Sequence, residues 1–67
     1  MELTSTDLHE AKRQIDSTVH KLRETVKTFE AKDNPDRYKS QITLAKRRIE
    51  AFEISVYLIE QELLKQE

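Results

Sequence analysis

The 67-residue chain has no cysteine, no glycine, no tryptophan and one proline, and each absence removes a class of structure or chemistry. Without cysteine there is no disulfide, no thiolate metal site and no thiol nucleophile, and redox compartment cannot be read from thiol usage. Without glycine no phosphate-cradling loop can form, and a helix has no glycine with which to close in the left-handed conformation. Pro35 alone marks a strong break. No apolar stretch approaches the roughly 18 residues that cross a bilayer. The segment Met1-Glu2-Leu3-Thr4-Ser5-Thr6-Asp7 has no basic run followed by an apolar one, so a secretory signal is not expected. These absences make a soluble, cytoplasmic protein with no membrane partner the expectation.

What is present is charge in periodic alternation with apolar residues: 37% of the chain is charged and 36% hydrophobic. The same balance without periodicity would suggest disorder, but here the apolar positions repeat. In the second half Ile42, Ala45, Ile49, Phe52, Val56, Ile59 and Leu63 follow steps of three and four, which writes one long helix with a continuous apolar seam. In the first half Leu8, Ala11, Ile15, Val19, Leu22, Val26 and Phe29 do the same, with one four-four step near Ile15 to Val19 that relaxes the heptad. Thr4 as N-cap, Asp7 as its capping-box partner, and Leu3 with Leu8 as a staple set the start of the first helix.

The single turn lies at Asp33-Asn34-Pro35-Asp36. Pro35 pushes Asn34 out of the helical region and suits the first position of a new helix, with Asn34 as its N-cap. The expected domain is residues 1–67 as one helical hairpin: helix one about 5–32, turn 33–35, helix two about 35–66. A short turn makes the helices antiparallel neighbours, placing residue i near residue 67 minus i, hence Phe29 by Tyr38, Leu22 by Ala45, Ile15 by Phe52 and Leu8 by Ile59. With no glycine, Asn34 or Asp33 would have to take up any left-handed turn.

Chemistry-bearing patterns are sparse. His20 has Asp16 and Glu24 at helical spacing, but all three fall on the polar face, where a solvated charge ladder is the expectation. Glu50 and Glu53 lack the Glu-x-x-His spacing of carboxylate-bridged metal bundles. Thr18 and Thr25 flank the first seam and either tune its register or bond the preceding turn. The sequence therefore predicts no catalytic residues, no cofactor-binding residues, no metal ligands and no enzymatic activity.

Association is the expected theme. So short a chain buries only about 60% of its unfolded surface and gains from a staple, and oligomerisation is the one left. A second apolar set on helix two, Leu44, Ala51, Ile54, Tyr57, Leu58 and Leu64, is the expected oligomer interface. Residues 17–49 carry nine Lys or Arg against four Asp or Glu, while the rest carry three against nine, so one end is basic and the other acidic. Two such dipoles attract when laid head to tail. The expected fold is thus all-α: an antiparallel two-helix hairpin that dimerises with itself into a four-helix bundle, at coiled-coil crossing angles. In size and layout it resembles the small helical-hairpin dimers that include plasmid RNA-binding proteins, a likeness of architecture alone that no sequence motif carries. The function expected from the residues is a non-enzymatic interaction module, a regulator or adaptor that binds itself and a protein partner. The alternative is a nucleic-acid binder using Arg37, Lys39, Lys46, Arg47 and Arg48 as a basic patch.

Overall fold

A computed structural model describes residues 1–66 and, for Pro35, the backbone. Two helices pack against each other: α1 (Ser5–Glu30) and α2 (Lys39–Gln66), joined through a 3₁₀ helix at Pro35–Tyr38. The hairpin measures 49 × 19 × 14 Å.

The start of α1 follows from its capping chemistry. Thr4 has extended backbone, its hydroxyl accepts from the Asp7 N–H at 3.1 Å, and the Asp7 carboxylate accepts from the Thr4 N–H at 3.1 Å. Two of the donors that a helix start leaves unpaired are thereby satisfied. At the other end Ala31 closes the helix in right-handed geometry, its N–H donating to the Lys27 carbonyl at 3.0 Å.

The connection differs from expectation in two respects, the spacing of the helices and the capping role of Asn34. The helices end and resume farther apart, at Glu30 and Lys39, because the chain makes a 3₁₀ turn after Asn34 before the α pattern starts. Asn34 does sit before that turn with non-helical backbone (φ −131°, ψ 76°), as a residue preceding proline must, but its side chain makes no capping bond; its carbonyl accepts from Arg37 N–H instead. Among the described residues none has positive φ, so the reversal is built without a left-handed residue at Asp33 or Asn34.

The longer connection also shifts the register. Phe29 stacks on Tyr38 as counting predicts, but Arg23, expected beside Leu44, pairs with Glu53 at 3.1 Å. Likewise Glu30, expected beside Arg37, holds Lys46 at 3.3 Å. The Leu3 carbonyl, expected beside Leu64, accepts from Gln66 Nε2 at 3.1 Å. All three partners lie farther along α2, because α2 begins later than a tight turn would allow.

Burial follows the two seams closely. Leu8, Val19, Val26, Ala45 and Leu63 are buried, and the other nine seam residues, Ala11, Ile15, Leu22, Phe29, Ile42, Ile49, Phe52, Val56 and Ile59, are half-buried. Two helices cannot enclose a side chain from all directions, so even the large central Phe52 keeps contact with water. Thr18, Thr25 and Ser55 each donate their hydroxyl at 3.0 Å to the carbonyl four residues back, so these groups make no cross-helix bonds.

Candidate interaction surface

The seam that faces α1 takes up one side of α2; the opposite side carries the second apolar set. All six of its residues are exposed: Leu44, Ile54, Tyr57, Leu58 and Leu64 keep 49–64% of their surface, and Ala51 is exposed with them. Periodicity explains their arrangement. Leu44, Ala51 and Leu58 recur every seven residues and form one row along the outer face, Tyr57 and Leu64 form a second row nearer α1, and Ile54 lies between the rows. Leu64 shares a shallow depression with Lys12 of α1 and with Glu60, Gln61 and Leu63.

Helix α1 offers no counterpart. Among the described residues, the exposed large apolar side chains outside α2 are Met1 and Leu3, both ahead of α1. The outward side of α1 is charged or hydroxylic, with Arg13 donating to Glu10 at 2.8 Å and Lys27 ion-paired with Glu24 at 3.6 Å. Hydrogen bonds from Arg13 and then Gln14 hold the Glu10 carboxyl below the ordinary glutamate range, and Glu10 in turn raises Arg13. Glu24 is thus drawn toward Lys27, and no hydrogen bond joins His20 to Asp16 or Glu24. Among the described residues no group of three or more histidine and carboxylate side chains is placed to hold a metal ion.

The five basic residues of the predicted patch do not form one face. Lys39 and Arg47 flank a shallow depression of about 360 Å³ on α2, together with Ser40, Thr43 and Leu44. Lys46 turns toward α1 and is taken up by Glu30. Arg48 stands about 100° around the helix from Arg47, and Arg37 belongs to the 3₁₀ turn. The basic run of Lys46, Arg47 and Arg48 divides because three consecutive helical residues point in three directions.

No described helix is long and apolar enough to cross a membrane. Neither protein-family models, nor curated proteins, nor solved structures give a match to this chain.

Proposed function

We propose that the chain is a non-enzymatic helical interaction module, a regulator or adaptor that works as a homo-oligomer and engages a protein partner through helix-to-helix contacts. The observation that carries this reading is the one-sided distribution of exposed apolar side chains, five large ones on the outer face of α2 and none on the outer face of α1. Contiguous apolar surface of this kind is what helix-docking interfaces use, with anchors three, four and seven residues apart. Dilution tests it: a docking module that pairs with itself has a thermal midpoint that falls as concentration falls, whereas a self-sufficient monomer does not.

A second reading, binding of a nucleic-acid backbone, has support from Lys39 and Arg47 flanking one depression, with no ion-pair partner for either among the described residues. The net charge of −1 and the engagement of Lys46 by Glu30 favour the protein-binding reading. Retention on nucleic acid at low salt, falling steeply as salt rises, would favour the second.

A further inference from the structure

We infer that the occupant of the outer face of α2 is the same face of a second copy, laid antiparallel, with the two-fold axis passing beside Ala51. The inference rests on the self-association reading and adds to it which helices meet, in which direction and at which residue.

Three independent observations support it. The first is area. A compact protein of 8.0 kDa exposes about 4,450 Å², whereas the hairpin exposes 5507 Å². The excess, about 1,050 Å² over the whole elongated hairpin, is of the size of the roughly 800 Å² that each partner contributes to a standard interface.

The second is the symmetry of the outer row. Leu44 and Leu58 each lie seven residues from Ala51, so rotation about an axis at Ala51 sets Leu44 of one copy against Leu58 of the other, twice. Ala51 meets Ala51 at the centre, where a small side chain lets two helix backbones approach.

The third is charge along α2 itself. Leaving aside Lys46 and Glu53, which pair with α1, the helix from Lys39 to Arg48 carries Lys39, Arg47 and Arg48 and no acid, and from Ile49 to Gln66 it carries Glu50, Glu60 and Glu62 and one base, Lys65. Antiparallel α2 helices lay the basic stretch of each on the acidic stretch of the other, and parallel ones oppose like charges. A C₂ contact of this sort is closed, because the row of Leu44, Ala51 and Leu58 on each copy is used by the other.

The chain has no cysteine, so single introduced thiols report the geometry. In the antiparallel arrangement Ala51→Cys is cross-linked to itself by a short bismaleimide. Ser40→Cys alone and Glu62→Cys alone are not, since the two Ser40 positions, or the two Glu62 positions, lie roughly 33 Å apart along the helices. A mixture of those two variants does cross-link, because Ser40 of one copy opposes Glu62 of the other. Self-cross-linking of Ser40→Cys would mean parallel helices and would overturn the inference. Failure of Ala51→Cys and of the mixture to cross-link, in samples that sediment as dimers, would place the contact on another face, overturning the inference while self-association stands. Sedimentation as a monomer at cross-linking concentrations would remove both.

Discussion

The ring of Phe29, one residue before the end of α1, stacks on the ring of Tyr38 with centroids 4.9 Å apart and planes at 19°, while the Lys32 ammonium stands 5.7 Å from the centre of the tyrosine ring. This stack ties the 3₁₀ turn to α1 at the loop end of the hairpin, and a stacked pair contributes about 0.5–1.5 kcal/mol beyond its buried area. Tyr38→Ala is therefore expected to lower unfolding stability by about 1–2 kcal/mol, a somewhat larger sum because the lost ring area adds to the stack. Tyr38→Phe keeps the stack and is expected to stay within about 0.5 kcal/mol of the parent. Equal losses in urea unfolding would show that the phenol hydroxyl, not the ring, is what the turn needs.

Burial ranks the seam differently from position along the helix. Counting heptads makes Phe52, midway along α2, the most costly side chain to truncate, at about 3–5 kcal/mol for a fully enclosed aromatic. In the hairpin Phe52 is half-buried and Leu8 is 5% exposed. Leu8→Ala is expected to cost about 2–3 kcal/mol, and Phe52→Ala about 1–2 kcal/mol because its site already admits water. A loss of 3 kcal/mol or more at Phe52 in denaturant titrations would mean that something seals the seam side of the hairpin as well.

Both seams, the capping box at Thr4 and Asp7, and the Phe29–Tyr38 contact were legible in residue spacing, because each depends on local periodicity or on chemistry within one turn of chain. The eight residues between Glu30 and Lys39 were not. Asn34-Pro35 marks a break plainly, but whether the chain resumes as α or first as 3₁₀ depends on small energy differences that no spacing encodes, and the register of Arg23 on Glu53 depends on that choice. The basic run was visible as a count of charges. That Lys46 would be captured by Glu30 was not, since it too follows from the register. The second apolar set of α2 stood out in the sequence because Leu44, Ala51 and Leu58 repeat every seven residues.

Glu10 gives a titration with a defined sign. Its carboxyl sits below the ordinary glutamate range because Arg13, then Gln14, hydrogen-bond to it. A depressed carboxyl contributes stability above its unfolded pKa, and that contribution is lost as pH falls through the lower folded value. A ¹³C-detected titration is expected to show Glu10 protonating below an ordinary glutamate, and Arg13→Ala is expected to move it up. No movement in the variant would remove Arg13 as the cause.

Charge and apolar contact separate by their response to salt. Exposed charges are screened beyond about 8–10 Å near physiological ionic strength, so raising salt is expected to weaken the head-to-tail preference without dissociating the apolar contact. Spin labels at Asp33→Cys are expected roughly 40 Å or more apart in the head-to-tail dimer. Separations near 15 Å would instead bring the two basic ends together, and would make the nucleic-acid reading the stronger one.

Sedimentation equilibrium of the parent chain beside Leu58→Glu tests the outer face of α2 most directly. Leu58 is 60% exposed in the hairpin, so glutamate there leaves the lone hairpin folded, but in an apolar contact its charge would be desolvated without a partner. The expected result is a parent with twice the 8.0 kDa chain mass and a variant that sediments as a monomer with its helical circular dichroism retained at matched concentration. A parent that stays monomeric across micromolar concentrations, or a variant that dimerises with unchanged affinity, would contradict it.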